Sequence, residues 1–385
     1  MKFNLLIFLL FLHSTTSKLE FQDDLTPKKI LDFIEKNLPK NLPSEITAYS
    51  VSNSYNHTIL PPLLPYLFEN LEIIENIAPI TNINRPGIKK PKYLICVHDT
   101  GSFRYGAEGW SKALYYGHYP DGYPYEVSYQ YVIGNDGIWH NIPDDEIAYH
   151  AGDGITFDYK EYNTSLIVNE NEKGKKINVT INNNGFYVIN GRDTKIKSPT
   201  FNNKILKNED INNMGIRVKV RDNYYYIGDT WYSETYKKIS NRGGNLNSIG
   251  IESCLDENTD IFWTWMKMAK LVAYLMDEHN FDIEDVVGHH FFSGKECPKT
   301  ILRNKMWDYF KYVMVVNEYE ILQFKKKGFV IVFDCDNKEF IGKNGKVIKL
   351  PENDLEVKFS VVVSKDGVSE KREFKTVIKG KKKKL

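Results

Sequence analysis

Two histidines and one cysteine are the residues of this chain whose types and spacing point most directly to chemistry: His98, His289 and Cys297. His289 and Cys297 lie eight residues apart across a loop that contains glycine, so both side chains can turn back onto one ion. Zinc takes imidazole and thiolate ligands, and a catalytic zinc site has three protein ligands and a fourth position open for water. A lone histidine is more often a structural or surface residue than a ligand. The prediction of a zinc site therefore depends on a fold that brings the three residues together.

Apolar runs that end in polar residues supply strands that would position these side chains. Tyr93 to Val97 is apolar and leads into His98-Asp99-Thr100-Gly101, which is typical of a buried strand whose carboxyl end opens into a site. Tyr129 to Gly134, closed by the turn signal Asn135-Asp136-Gly137, is a second strand candidate. Ser248 to Glu252 is a third.

Two helices are predicted after the third strand candidate. Apolar residues from Ile261 to Leu275 recur at helical spacing, and Asn258-Thr259-Asp260 supplies capping residues just ahead of them. The aromatic and methionine side chains of this face are interpreted as core. A second helix is predicted from about Ile301 to Tyr319.

The amino-terminal end has the features of a signal peptide over residues 1–17. Lys2 precedes the apolar run from Leu5 to Leu12, and small polar residues follow. Eight apolar residues cannot span a bilayer, and no later segment reaches about 18 uncharged apolar residues. We therefore expect a secreted, extracellular chain without a transmembrane segment in its mature form. Residues 18–90 are interpreted as an amino-terminal arm, either a wrapping segment or a propeptide, with a short helix from Thr26 to Asn37.

Two further regions are predicted to be rich in β-structure. An insertion at about 153–245 contains the hairpin signals Asn184-Gly185 and Asn190-Gly191. Its aromatic residues either line a substrate surface or form the core of the insertion: Tyr224 to Tyr226, Trp231, Tyr232 and Tyr236. Residues 321–385, with turns at Asn344-Gly345 and Asp366-Gly367, are predicted to form a sandwich-like β-module that ends in a basic tail.

Composition places limits on function and on partners. With 42% hydrophobic and 26% charged residues, the chain is neither mostly disordered nor a multi-spanning membrane protein. A net charge of +1 gives no indication of a nucleic-acid partner. Nine basic and three acidic residues from Lys365 onward make the carboxyl end basic, which suits either a solvated end or contact with an anionic surface. If Cys297 binds zinc, an odd number of cysteines remains, so at least one is free or pairs between chains: Cys96, Cys254 and Cys335.

Five motifs in order make residues 93–310 similar to the zinc-dependent N-acetylmuramoyl-L-alanine amidases, the family of phage amidase-type lysozymes and peptidoglycan recognition proteins. The motifs are Ile95-Cys96-Val97-His98-Asp99-Thr100, Ser128 to Gly137, Ala148-Tyr149-His150-Ala151-Gly152, Ser248 to Glu252, and Val287-Gly288-His289 through Lys295-Glu296-Cys297-Pro298. The resemblance implies an α/β fold in which helices flank a mixed central sheet, with a zinc site at strand ends. It also implies that residues 91–320 are the catalytic domain and that bacterial peptidoglycan or muropeptides are the partners.

The same resemblance assigns roles to individual residues. It implies that His98, His289 and Cys297 are the zinc ligands, that Tyr129 is the active-site tyrosine, and that Lys295 is the catalytic lysine. Such a lysine would stabilise a developing oxyanion. His150 matches a histidine that lines the substrate groove of the family, and it is predicted to contact the substrate rather than the metal, because a fourth protein ligand would close the catalytic position. Thr100 is also predicted to contact the substrate. Gln130 stands where the family commonly has histidine, at a position that is not a metal ligand.

Two questions stay open at the level of sequence. Glu252 is either a general base beside the metal or a strand-end glutamate held by a salt bridge or hydrogen bond. The chain as a whole is predicted to hydrolyse the amide bond between N-acetylmuramic acid and L-alanine; the alternatives are a peptidoglycan-binding protein without catalysis and an enzyme for another amide. The cysteine at 297 favours catalysis, since non-catalytic relatives usually lack that thiol. His118, His140 and His290 are interpreted as residues that do not bind metal.

Overall fold

The computed structural model describes residues 25–40, 42–43, 45–60, 62–151, 162–172, 177–198, 200–201, 204–205, 208, 217–228, 244–257, 259–293 and 295–381. The predicted signal peptide lies outside the described residues, as do Trp231, Tyr232, Tyr236 and the last four residues.

The described residues form short helices and many strands. The helices are α1 (Pro27–Lys36), α2 (Ala107–Tyr116), α3 (Gly244–Asn247), α4 (Ile261–Glu278), α5 (His290–Ser293), α6 (Lys299–Arg303), α7 (Trp307–Tyr309) and α8 (Val316–Lys326). The strands are β1 (Glu45–Tyr49), β2 (Ser54–Thr58), β3 (Ile74–Glu75), β4 (Leu94–Asp99), β5 (Tyr131–Gly134), β6 (Gly137–His140), β7 (Tyr162–Ile167), β8 (Val179–Ile181), β9 (Phe186–Ile189), β10 (Arg192–Lys197), β11 (Thr200–Phe201), β12 (Lys204–Ile205), β13 (Arg217–Arg221), β14 (Tyr224–Gly228), β15 (Ser248–Ser253), β16 (Val286–Gly288), β17 (Val330–Cys335), β18 (Leu355–Lys365) and β19 (Val368–Ile378).

A mixed six-stranded sheet in the order β16-β4-β15-β5-β6-β3 forms the centre of the protein. Strands β16, β4, β15 and β5 are parallel, and β6 returns antiparallel to β5 through the turn at Asn135 and Asp136. Every residue of β4 is buried, as its apolar run predicts. The carboxyl ends of the parallel strands therefore meet at one edge of the sheet.

The two faces of this sheet have different coverings. Ile95, Val97 and Ile251 pack into the largest apolar cluster, to which α4 contributes most of its length. The predicted start of α4 is confirmed, since the Asp260 side chain accepts a hydrogen bond from the Trp263 amide (3.0 Å). On the opposite face, Cys96 and Val287 pack with Ala151 and with the phenylalanines of α5.

The predicted helix from Ile301 to Tyr319 is wrong in its bounds. The chain forms α6, leaves the helix at Asn304 to Met306, and resumes with α7, a π-helical stretch at Phe310–Val315 and α8. Lys305 has a positive φ of 57°, a backbone conformation that a helix interior does not accommodate. The apolar spacing did not show this break.

The prediction of a β-rich insertion is confirmed for its described part. One sheet has the order β10-β9-β8, another has the order β13-β14-β7, and they share an apolar cluster. Tyr225 is buried in that cluster, which makes it core rather than a binding surface.

The carboxyl-terminal strands form one sheet in the order β17-β18-β19. The prediction of a sandwich-like pair of sheets is wrong, because helix α1 from the amino-terminal arm packs against this sheet. Ile30, Leu31 and Ile34 of α1 share an apolar cluster with Phe359 and Phe374. We call α1 with β17, β18 and β19 the terminal module.

The rest of the amino-terminal arm wraps the central sheet. The β1–β2 hairpin lies against α6, where Thr47 and Asn304 exchange two hydrogen bonds. Strand β3 pairs with β6 and is the edge strand of the central sheet. Among the described residues, no helix is both long enough and apolar enough to cross a membrane.

Candidate metal centre

The three predicted ligands come from separate parts of the chain that meet at the carboxyl edge of the central sheet. His98 lies near the end of β4, and His289 directly follows the neighbouring parallel strand β16. Cys297 ends the loop that starts at His289. The backbone amide of His290 donates to the Cys297 carbonyl (3.2 Å), which closes this loop on itself.

The donor atoms of His98, His289 and Cys297 all lie within 4.8 Å of one another. The Cys297 Sγ is 3.6 Å from Nδ1 of His98. All three residues are buried, with 1%, 2% and 5% of their surfaces exposed in the same order. Two imidazoles and one sulfur that converge in this way could hold a metal ion, as the sequence predicts.

The electrostatics of the three residues fit a cation. Burial, aided by the neighbouring histidines and the charge of Lys295, keeps the pKa of His98 well below its usual range, and His289 behaves in the same way. Both rings are therefore neutral and have a lone pair available. Neither ring nitrogen of His289 makes a hydrogen bond of ordinary geometry within the described residues. Burial raises the pKa of the Cys297 thiol, so a thiolate here needs a nearby positive charge. A bound metal ion would satisfy all three groups.

A second group of possible ligands lies on the other side of His98. The Nε2 atom of His98 is 3.0 Å from Sγ of Cys96 and 2.9 Å from Nδ1 of His150. These three donor atoms also lie within 4.8 Å of one another. His150, predicted from sequence to contact substrate, thus has its ring against His98, a histidine of the candidate metal group. Sequence reasoning did not single out Cys96, although alternation along β4 places residues 96 and 98 on the same face.

Glu252 lies directly beside His98 in the sheet. The two residues are register partners in β15 and β4, and Oε1 of Glu252 is 3.9 Å from Nδ1 of His98. Burial and the neighbouring Asp99 raise the pKa of Glu252 to about 8, and Lys295 opposes them. The Oε2 atom is buried without a hydrogen-bond partner among the described residues. Because His98 is neutral, the pair is not an ordinary salt bridge.

Lys295 and Tyr129, the other two predicted catalytic residues, occupy contrasting positions. Lys295 is exposed on the loop before Cys297, and its charge acts on the pKa values of His98, His289 and Glu252. Tyr129 is buried, with its hydroxyl accepting a hydrogen bond from the Tyr125 hydroxyl (3.3 Å). Burial raises the pKa of Tyr129, and the charge of Glu252 contributes. The charge of Glu252 therefore influences Tyr129, whose hydrogen-bond partner is Tyr125.

The segment after β4 is held from two sides. The amide of Thr100 donates to the Ser253 carbonyl (3.0 Å), which leaves the predicted substrate residue Thr100 half-buried at the strand end. Asp99 accepts a hydrogen bond from the Thr300 amide (2.7 Å), and the Thr300 hydroxyl accepts one from the Tyr49 amide (3.1 Å). The β1–β2 hairpin is thereby tied to the loop that carries Cys297. The sequence analysis gave Asp99 no role.

The remaining histidines with a sequence prediction have other contacts. His290 Nδ1 lies 3.2 Å from the Cys297 carbonyl, and His118 Nδ1 lies 2.8 Å from the Tyr119 carbonyl. His140 contacts the carboxylate of Glu75 at 2.9 Å. None of the four cysteines forms a disulfide bond within the chain: Cys96, Cys254, Cys297 and Cys335.

Comparison with known proteins shows that the chain is similar to N-acetylmuramoyl-L-alanine amidases. The sequence profile of the N-acetylmuramoyl-L-alanine amidases matches residues 89–300, more than half of the chain. N-acetylmuramoyl-L-alanine amidase XlyA of Bacillus subtilis (strain 168) is 23% identical over 241 residues, which are 63% of this chain and 50% of XlyA. N-acetylmuramoyl-L-alanine amidase CwlH of the same organism is 40% identical over 63 residues, which are 16% of this chain and 25% of CwlH. The chain thus spans half or less of the length of these curated relatives.

Two solved structures are also similar to this chain. A mutant endolysin from Bacillus subtilis has 22% sequence identity and a TM-score of 0.38, and the match covers 64% of this chain and 99% of that one. The catalytic domain of XlyA has 22% identity and a TM-score of 0.37, with 63% and 99% covered.

Proposed function

This chain belongs to the N-acetylmuramoyl-L-alanine amidase family, and we propose that it is a secreted, zinc-dependent peptidoglycan amidase. The proposed reaction is hydrolysis of the amide bond between the lactyl group of N-acetylmuramic acid and L-alanine of the stem peptide. The observation that carries the proposal is the convergence of the donor atoms of His98, His289 and Cys297, all of them buried residues, within 4.8 Å of one another. A peptidoglycan-binding protein without catalysis has no use for this set of donors.

His98, His289 and Cys297 would hold the zinc ion. When bound there, zinc supplies Lewis acidity that polarises the scissile carbonyl and favours deprotonation of water. The protein contributes two neutral imidazoles whose positions are set by parallel strands. Ser253 supports one of them, since its hydroxyl donates to the His98 carbonyl (3.0 Å).

Glu252 is proposed as the group that accepts and returns a proton. The charge of a bound zinc ion would lower the raised pKa of this carboxyl and favour the carboxylate that a general base requires. Its Oε2 atom is buried and has no competing hydrogen bond among the described residues. A general base must lie within hydrogen-bond reach of the proton that it takes, and the register pairing with His98 puts Glu252 at the edge of the metal pocket. Tyr129 is proposed as a positioning residue, because its buried hydroxyl belongs to the surroundings of Glu252.

Lys295 is proposed to stabilise the negative charge that develops on the carbonyl oxygen. It is exposed on the loop that leads to Cys297, and its charge acts on both histidines and on Glu252. An ammonium group in such a position stabilises the transition state more than the neutral amide. Thr100, half-buried at the end of β4, is proposed to contact the substrate beside it.

The proposal is tested by release of stem peptides from purified bacterial cell walls. We expect release by the wild type, loss of release with a chelator, recovery on adding zinc, and loss in Cys297→Ser. The matched control is Cys335→Ser, which alters an equally buried thiol in β17 of the terminal module and should retain activity. Full activity of Cys297→Ser would exclude the metal mechanism. A zinc-loaded wild type that binds cell walls but releases no stems would show a binding protein.

A further inference from the structure

We propose that Cys96, His98 and His150 form a second metal site, for a zinc-like divalent ion, that shares His98 with the catalytic one. The inference rests on the proposed function and extends it. His98, a ligand of the proposed catalytic site, would also be a ligand of a second site that is not catalytic. The two groups have the same donor chemistry, with two imidazoles and one sulfur in each. Thiolate and imidazole ligands select zinc and related ions over magnesium or calcium.

The distances place the three donors around one point. Sγ of Cys96 is 3.0 Å and Nδ1 of His150 is 2.9 Å from the same atom, Nε2 of His98. These contacts are hydrogen bonds between the side chains. Ligands of one tetrahedral zinc ion at about 2.0–2.3 Å lie roughly 3.3–3.6 Å apart, so the donors would have to separate by only about half an ångström to bind one. Cys96 is fully buried in the sheet, and its sulfur lies within 4.8 Å of a ring nitrogen of both His98 and His150.

The sheet itself makes room for His150 in this group. Cys96 is paired in register with Gly250 of β15, so the position beside the sulfur has no side chain. A Cβ at Gly250 would approach the His150 ring to 2.7 Å. Any other residue at 250 would therefore force the imidazole away from Cys96 and His98.

The backbone around His150 is also fixed in advance. The amides of His150 and Ala151 both donate to Oδ1 of the buried Asn245, at 2.8 Å and 2.6 Å. Ligands that are held by surrounding hydrogen bonds bind metal with less loss of entropy. The strand register, Gly250 and Asn245 thus all direct the His150 ring toward Nε2 of His98.

Sharing His98 makes the two sites alternatives. Its Nδ1 atom faces Cys297 at 3.6 Å, and its Nε2 atom faces Cys96 and His150. A neutral imidazole has one lone pair, so ligation through Nε2 leaves the proton on Nδ1, toward the catalytic group. An ion held by Cys96 and His150 would therefore be withdrawn from the catalytic position, and the protein would carry metal without activity.

Cobalt(II) is the probe, because a thiolate bound to cobalt gives a charge-transfer absorption in the near ultraviolet. Metal-free Cys297→Ser is titrated with cobalt, and we expect one equivalent to bind with this absorption. The absorption should disappear in Cys297→Ser with Cys96→Ser, and persist in Cys297→Ser with Cys254→Ser, which removes another buried thiol. Cobalt binding to Cys297→Ser without thiolate absorption, or no binding at all, would overturn the proposal.

A second variant covers the case in which Cys297→Ser does not fold. His289→Ala also removes the catalytic group but keeps every thiol, and cobalt should then give the thiolate absorption in this variant. Absence of that absorption, or its persistence at full strength in His289→Ala with Cys96→Ser, would refute the second site. Cys96→Ser leaves only the catalytic group of donors. If this variant binds cobalt but releases no stem peptides, the proposed function fails, while the spectra of Cys297→Ser still decide the second site.

Discussion

Polar groups differ between two regions of the protein. One region is the metal pocket, by which we mean His98, His289, Cys297 and Glu252, and the other is the terminal module. In the pocket, His289 and the Oε2 atom of Glu252 are buried without hydrogen-bond partners of ordinary geometry among the described residues. In the terminal module, charged groups stay at the surface and pair, as when Arg372 of β19 reaches Asp32 at 2.7 Å and Glu35 at 2.6 Å on α1. The folded chain itself supplies partners for these charged groups of the terminal module. It does not supply them for the buried polar atoms of the metal pocket.

This difference between the two regions indicates that function is located in the metal pocket. Buried polar groups are nearly always satisfied in proteins, and each exception requires an explanation. A ligand that arrives after folding explains the exceptions in the pocket, and strained or unsatisfied groups cluster at such sites. We therefore expect pocket variants to change activity strongly, and variants of paired surface charges to change activity little.

The largest effect is expected for His289→Ala. This change should remove bound zinc and lower the rate of stem-peptide release about ten-thousandfold, because the Lewis acidity of a bound metal is worth several kcal/mol and each 1.36 kcal/mol is a factor of ten. Metal analysis together with the release assay checks it. Retention of both zinc and activity would remove His289 from the ligand set.

Glu252→Gln should lower kcat about a thousandfold with zinc content unchanged, since a positioned general base contributes on this scale. The matched control is Glu320→Gln in α8. Glu320 is also buried, and burial raises its pKa to about 8, but it is not part of the metal pocket. Equal losses in the two variants would show that Glu252 acts through folding rather than through proton transfer.

Lys295→Gln should lower kcat about a hundredfold, the typical cost of removing one group that stabilises an oxyanion. Zinc content should stay the same, because the amine is not among the donors in either candidate metal group. Lys375→Gln on the exposed face of β19 serves as the control and should match the wild type. A change confined to KM would instead assign Lys295 to substrate binding.

A smaller effect, on stability and its dependence on pH, is expected for His140→Phe at the sheet edge. Burial lowers the pKa of His140, but hydrogen bonds to Asp144 and Glu75 outweigh it and raise the pKa above its usual value. The stabilisation from a raised pKa is present below the unfolded pKa and is lost as pH rises through the folded one. The variant, which keeps a ring stacked on Tyr131, should therefore be more destabilised at pH 5.5 than at pH 9. Thermal unfolding at the two pH values measures this, and equal losses would contradict it.

The smallest effect is expected for Arg372→Ala. Its partners Asp32 and Glu35 are about half exposed, and surface ion pairs contribute little to stability. The thermal midpoint should shift slightly and stem-peptide release should not change. A large loss of activity would break the contrast between the two regions.

The sequence allowed the strands and the convergence of His98, His289 and Cys297 to be predicted, because their signals are local or carried by motifs. The apolar run before His98, the turn at Asn135 and Asp136, and the cap at Asp260 all appear in the structure where the pattern places them. The interruption of the helix after Arg303 was missed, because it depends on Asn304 bonding to Thr47 of the distant β1 strand.

Contacts between distant segments account for the other misses. Nothing in the local pattern indicates that α1 covers the carboxyl-terminal sheet, so two sheets were expected where one sheet and a helix are found. The approach of His150 to Cys96 and His98 depends on strand register and on the small residue at Gly250. Such tertiary relations become visible only in the folded chain.

The most direct test of the central claim is anomalous diffraction at the zinc absorption edge from crystals of the zinc-loaded protein. The account predicts a peak at about 2.0–2.3 Å from ring nitrogens of His98 and His289 and from Sγ of Cys297. Crystals that contain one equivalent of zinc but show no peak among these three residues would contradict it.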